Sequence, residues 1–216
     1  MKKIFLLLII SLSFQTLFSQ NKALTAVIGK SNSRLLYYEI QINDIHFQIS
    51  EAGDYMGFCL ENSEGNFTYY DDFNNDGTFG KLKTQGTKKI LYWDDYNFDG
   101  VKYGKPKSIA DIDLNYWRDE TFDRIKFKKL KNIGTIKIEY FDDEFSDKHN
   151  YGKIRKIGNI VVSYRDNFVF DANKYEQIKQ IGNTTFEYWD DTFDKSTSGK
   201  LKSINGKNPN VKITLK

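Results

Sequence analysis

The chain has 216 residues, of which 39% are hydrophobic, 16% aromatic and 28% charged, with a formal net charge of +3. That length and apolar content suit a folded domain with a real core and exclude a disordered polymer. A single cysteine, Cys59, excludes an internal disulfide framework, and with only His46 and His149 beside it the usual Cys/His zinc sites are excluded too.

Residues 1–20 read as a secretory signal peptide. Lys2 and Lys3 form the positive start, Ile4 to Leu12 the apolar run, and Ser19-Gln20 the cleavage zone. The apolar run is about half of the roughly 20 residues that a membrane span needs, and nothing later in the chain approaches that length. No cysteine follows the run as a lipid attachment point. Removing Lys2 and Lys3 takes the net charge from +3 to about +1. So neutral a mature chain argues against nucleic acid as a partner and against a polybasic membrane-surface role. The expected destination is a periplasm, the cell surface or the medium.

Residues 21–64 form an N-terminal β segment. The run Leu35 to Ser50 alternates with period two, and residues 34–64 look like a degenerate copy of the unit that repeats from residue 65 onward. His46 sits in that run with no catalytic signature around it and reads as structural, as does His149 in a polar loop. Cys59, between Phe58 and Leu60, is expected to be a small buried hydrophobe.

From residue 65 to 216 a repeat dominates. Aligned on Tyr69, Tyr92, Tyr116, Tyr140, Tyr164 and Tyr188, the steps are 23, 24, 24, 24 and 24 residues. The tyrosine blocks read FTYYDD, ILYWDD, LNYWRD, IEYFDD, VSYRDN and FEYWDD. Thirteen or fourteen residues later come KLKTQG, KPKSIA, KLKNIG, KIRKIG, QIKQIG and KLKSING. The tyrosine block alternates as a strand does, with Phe186 and Tyr188 on one face and Glu187 and Trp189 on the other. The second block ends in Gly134-Thr135, Gly158-Asn159 or Gly182-Asn183 before the next strand, a two-residue hairpin signal. The other junction, such as Asp142 to Tyr151, is a longer acidic loop. These features predict an all-β fold: about six 24-residue antiparallel hairpins in an array of about twelve to fourteen strands, twisted or curled toward a barrel. A β-solenoid is the alternative.

The pattern apolar-x-Tyr-x-Asp followed by Gly-Lys-Leu/Ile-Lys-x-Ile-Gly resembles the tyrosine–aspartate (YD) repeats of Rhs-type proteins. Tyr188-Trp189-Asp190 with Gly199-Lys200-Leu201 carries the likeness best, then Tyr140-Phe141-Asp142 with Gly152-Lys153-Ile154. The resemblance covers roughly residues 65–206 and implies hairpins built into a continuous sheet. The Tyr-to-Gly loop is longer here, Lys mostly replaces Arg, and six units fall short of a closed shell. The chain also looks like other small secreted bacterial repeat proteins without an assigned function.

Two loops, Asp72-Phe-Asn74-Asn-Asp76-Gly77 and Asp95-Tyr-Asn97-Phe-Asp99-Gly100, open like a calcium loop, with oxygens at alternate positions and a glycine for the bend. Position 12, normally a bidentate Glu, is Lys83 or Pro106. A cation there would have few protein ligands, and the alternative is a loop shaped by side-chain-to-backbone hydrogen bonds. The repeated Asp pairs at Asp71/Asp72, Asp94/Asp95, Asp142/Asp143 and Asp190/Asp191 read as structural, because glycoside hydrolysis needs one acid and one base across a set gap. No Walker loop, dinucleotide fingerprint or nucleophile elbow occurs.

The residue after each repeat tyrosine is Tyr70, Trp93, Trp117, Phe141, Arg165 and Trp189, and these positions include all three tryptophans. In stacked units they form a column on one face. Its neighbours Thr68, Asn115, Glu139 and Glu187 are polar, as on a wet surface for sugar rings or a partner's apolar patch, whereas Leu91 is not. The alternative is a second packed face, covered by loop aromatics such as Phe73, Phe122, Phe145 and Phe193. The functional expectation is a non-catalytic binding module that meets glycan or another envelope or surface protein through this column. The competing expectation is a structural surface or matrix protein with no small ligand.

Overall fold

The structure is a computed structural model, described for residues 22–61, 64–75, 77–122, 124–146, 148–166, 174, 176–190, 194 and 196–216. The expected signal peptide, residues 1–20, lies outside the described residues. Strands β1 (Lys22–Ile28), β2 (Leu35–Ile42), β3 (Ile45–Ile49) and β4 (Tyr55–Leu60) come first. Next are β5 (Phe67–Tyr69), β6 (Leu82–Gln85), β7 (Lys88–Tyr92), a one-turn helix α1 (Tyr96–Asp99), β8 (Pro106–Ile109) and β9 (Ile112–Tyr116). The remainder are β10 (Leu130–Ile133), β11 (Ile136–Tyr140), β12 (Ile154–Ile157), β13 (Ile160–Tyr164), β14 (Ile178–Ile181), β15 (Thr184–Tyr188), β16 (Leu201–Asn205) and β17 (Val211–Leu215).

The fold is all-β and antiparallel, as the alternation predicts, but its strands divide between two sheets. β5 to β16 form a twelve-stranded meander in strict chain order, which stays open, with β5 and β16 as edges. β1 to β4 join β17 in a separate five-stranded sheet, ordered β17-β1-β2-β3-β4. There β17 runs parallel to β1, with Leu24 opposite Val211 and Ile28 opposite Leu215. This pairing ties the last strand to the first, a non-local contact that no local pattern encodes.

The meander alternates two kinds of connection. Tight turns of two residues close at Ile109/Ile112, Ile133/Ile136, Ile157/Ile160 and Ile181/Thr184. The first turn residue has positive φ each time, 53° at Gly134, 58° at Gly158 and 56° at Gly182. Glycine takes that conformation without the Cβ clash, which is why the Gly-Asn reading holds. Ala110 occupies the same place at 54°. The longer connections, such as 117–129 and 141–153, all lie at the opposite end of the strands.

A β-bulge recurs where each long loop re-enters the sheet. Leu130 pairs with Tyr116 and Asn132 with Asn115, so Lys131 is the extra residue. Lys83, Lys107, Arg155, Lys179 and Lys202 are extra in the same way. A bulge turns two side chains to one face in succession. It explains why Leu130 and Ile133, three apart, are both fully buried, as are the pairs Ile154/Ile157 and Ile178/Ile181 to within a few per cent.

The core lies between the two sheets. Tyr38, Ile40, Phe47 and Ile49 of the small sheet cluster with Leu114, Leu130, Ile138, Tyr140, Val162, Tyr164 and Phe186 of the meander. Burying a side chain of this size stabilises by about 1.5–3 kcal/mol. Polar contacts fix the docking. The Leu130 amide donates to the Gly53 carbonyl and the Ile154 amide to the Glu51 carbonyl, both at 3.0 Å. The two hydroxyls of Tyr38 and Tyr164 meet at 3.1 Å.

Candidate functional site

The repeat tyrosines and the residues after them face opposite ways. Tyr116, Tyr140, Tyr164 and Tyr188 are buried, and the hydroxyls of the last three donate to the carbonyls of Leu130, Ile154 and Ile178, ten residues before each. Burial raises the pKa of all four hydroxyls well above the usual tyrosine value. Tyr69, on the edge strand β5, is exposed, and Tyr92 is half-buried. The following positions, Tyr70, Trp93, Trp117, Phe141, Arg165 and Trp189, alternate to the outer side of the sheet, although Trp93, Trp117 and Phe141 also pack against the margin of the core. Trp189 is exposed and the other five are half-buried. The structure therefore brings the column residues to one face of one sheet.

Lysines, not loop aromatics, flank this column. The Lys102 ammonium sits 3.1 Å from the centre of the Trp93 ring and that of Lys107 4.8 Å from it. Lys126 and Lys131 approach Trp117 at 4.5 and 4.7 Å, and Lys202 approaches Trp189 at 4.6 Å. Lys83 lies 5.5 Å from the Tyr70 ring. Cation–π contacts of this kind contribute about 0.5–2 kcal/mol each, more as they lose water. Lys83, Lys107, Lys131 and Lys202 are the bulge residues, and all four are exposed, as are Arg155 and Lys179. Phe141 instead packs edge-on against Tyr164 at 6.1 Å. Arg165 donates to the Phe186 carbonyl at 3.0 Å and to Glu187 at 3.3 Å.

The loop aromatics expected as a cover point into solvent. Phe73 is 75% exposed, Phe122 88% and Phe145 94%, while Phe193 lies outside the described residues. The indole N–H groups of Trp93 and Trp117 are buried and have no hydrogen-bond partner among the described residues.

In the two calcium-like loops, the first aspartate is committed to the backbone. Asp72 Oδ1 accepts from the Asn74 amide at 3.0 Å. Asp95 Oδ1 accepts from the amides of Asn97 and Phe98 and caps α1. Asp119 and Asp143 repeat the arrangement on the amides of Thr121/Phe122 and Phe145/Ser146. Asp76 lies outside the described residues, as does the side chain of Asp99. No group of three or more His, Cys, Asp or Glu side chains converges among the described residues.

Two residues of the small sheet compare differently with expectation. Cys59 is exposed, not buried: on β4 it lies on the opposite side from the buried Leu60. Alternation along an edge strand put it on the solvent face, opposite His46. His46 is structural in geometry, with its two ring nitrogens 3.0 Å from Glu39 and 2.8 Å from Glu61.

The array also contains an internal ladder that the sequence did not disclose. The Lys129 ammonium donates to the Gly152 carbonyl at 2.8 Å, 23 residues ahead. Lys81 reaches the Gly104 carbonyl, Lys105 that of Lys128, and Lys153 that of Glu176. Gln177 does the same to the Gly199 carbonyl at 2.8 Å. Burial lowers the pKa of Lys81, Lys105 and Lys129 below the ordinary lysine value. The signal was present in the first lysine of each K-apolar-K triplet, but both lysines looked alike.

No protein-family model matches this chain, no curated protein matches it significantly in sequence, and no solved structure matches it significantly in fold. No described helix is long and apolar enough to cross a membrane.

Proposed function

We propose that the chain is an exported, non-catalytic β-repeat module that binds glycan, or another envelope component, through the outer column of Tyr70, Trp93, Trp117, Phe141 and Trp189. One observation carries this reading. The outer position holds an aromatic ring in every unit but that of Arg165, and the exposed bulge residue beside it is a cation in all six units. Successive units are two strands apart, about 10 Å. Rings and hydrogen-bonding cations at that interval suit an extended saccharide, whose ring faces stack on aromatics while its oxygens take ammonium donors.

Affinity electrophoresis against a panel of polysaccharides tests it. Retardation by at least one polysaccharide, lost in Trp93→Ala and Trp117→Ala variants of unchanged melting temperature, is the expected result. A mobility indifferent to every polysaccharide, or equal for wild type and variants, would count against it.

A second reading, a structural surface or matrix repeat with no small ligand, has its own support in the buried indole N–H groups of Trp93 and Trp117. On that reading the lysine-flanked rings serve packing, and the same variants lower stability without changing any mobility.

A further inference from the structure

The internal ladder ends at Lys200. In each preceding unit the residue at this position, Lys81, Lys105, Lys129, Lys153 or Gln177, donates to a carbonyl of the next unit. β16 is the edge of the meander, so no further unit offers Lys200 a carbonyl. The space a next unit would fill is bounded instead by the β1–β2 loop of the small sheet, where Ser33 Oγ accepts from the Leu201 amide at 2.7 Å. A cavity of about 240 Å³ remains there, lined by Lys30, Ser33, Trp189, Thr197, Lys200 and Leu201, among others. Among the described residues the Lys200 ammonium has no hydrogen-bond or ion-pair partner, and the Asp194 carboxylate is close enough to feel its charge. Trp189 is the most exposed of the three tryptophans, at 45%.

We infer that this cavity is a terminal subsite for one carboxylated sugar ring, a hexuronic acid residue of an acidic glycan. The inference rests on the reading of the outer column as a glycan face, since Trp189 is its last member. The cavity is smaller than the roughly 300–1,000 Å³ of pockets for drug-sized ligands and suits a single ring. Trp189 supplies an apolar face for the ring's C–H side, and the hydroxyls of Ser33 and Thr197 supply hydrogen-bonding partners for its alcohols. Lys30 and Lys200 both line the cavity, and two cations there select a carboxylate over a neutral group by Coulomb attraction, Asp194 offsetting only part of their charge.

Calorimetric titration of the mature chain with trigalacturonic acid, and separately with neutral galactotriose, tests the subsite. The expected result is saturable binding of the acidic trimer only, weakened tenfold or more in Lys200→Gln, Lys30→Gln and Trp189→Ala, and weakened by salt. Lys30 is exposed and Lys200 uncommitted in the fold, so the glutamine variants should keep the wild-type melting temperature. No saturable binding, equal affinity for the neutral trimer, or an affinity unchanged in Lys200→Gln would overturn the inference. Polysaccharide retardation still dependent on Trp117 would then leave the outer-column reading standing. Loss of both would remove both.

Discussion

Lys129 reaches across the gap between neighbouring hairpins, its ammonium 2.8 Å from the carbonyl oxygen of Gly152. Gly152 is buried, and among the described residues Lys129 is the donor to that oxygen. Replacing Lys129 with Met keeps the stem and removes the donor. Urea unfolding should show a loss of about 1–3 kcal/mol, the cost of a buried acceptor left without a partner. Lys131 is only two residues away yet points outward, and Lys131→Met should cost less than about 1 kcal/mol. Equal losses for the two variants would contradict the ladder.

The turn before each ladder residue needs positive φ. Gly104 and Gly152 adopt 73° and 86°, but the corresponding Lys128 is held at 67° and Glu176 at 65°. A side chain in this region costs roughly 1–2 kcal/mol, against about 0.5–1 kcal/mol for the added freedom of an unfolded glycine. Lys128→Gly should therefore stabilise the fold, by up to about 1 kcal/mol. Gly152→Ala should do the reverse, since a Cβ there meets Ile125 at 2.9 Å as well as the strained φ. Thermal melts of the two variants check both signs.

Tyr164 joins the sheets through its hydroxyl, 3.1 Å from both the Tyr38 hydroxyl and the Ile154 carbonyl. Tyr164→Phe leaves both groups buried and should cost about 1–3 kcal/mol. Tyr38→Phe added to it should cost less than its effect in the wild type, because the contact is already gone. Strict additivity in the double-mutant cycle would show that the hydroxyls do not interact.

His46 links stability to pH. Burial disfavours its charged form, but hydrogen bonds to Glu39 and Glu61 outweigh burial and raise its pKa above the usual 6.5. The folded state thus binds the proton more tightly than the unfolded chain. The resulting stabilisation is complete below about pH 6.5 and is lost as pH rises through the higher folded value. The melting temperature should fall across that interval in the wild type and fall less in His46→Gln. A His46→Gln profile parallel to that of the wild type would exclude the linkage.

Much of the architecture was legible because it is local. Tyrosine spacing, period-two alternation and Gly-led turns each act within a few residues, and the meander obeys them. The bulges were not legible, because Leu130 and Ile133 at a spacing of three fit neither strand period, and only the pairing to Tyr116 and Asn115 resolves them. The separate sheet escaped for a different reason. β1 to β4 alternate as any strands do, and the sheet they form is completed by β17, nearly 190 residues from β1. At the site, the aromatic column was legible from the repeat register. Its lysine neighbours were not, since Lys129 and Lys131 look equivalent until the bulge sends one inward and the other beside Trp117.

Acrylamide quenching of tryptophan emission, with and without a saturating polysaccharide found by electrophoresis, bears most directly on the outer face as a binding surface. All three tryptophans occupy the column, so one signal reports on it alone. Half-buried Trp93 and Trp117 and exposed Trp189 should give partial quenching in the free chain, and the quenching constant should drop clearly when the polysaccharide is bound. An unchanged constant at saturation would place the ligand elsewhere and leave the column as packing.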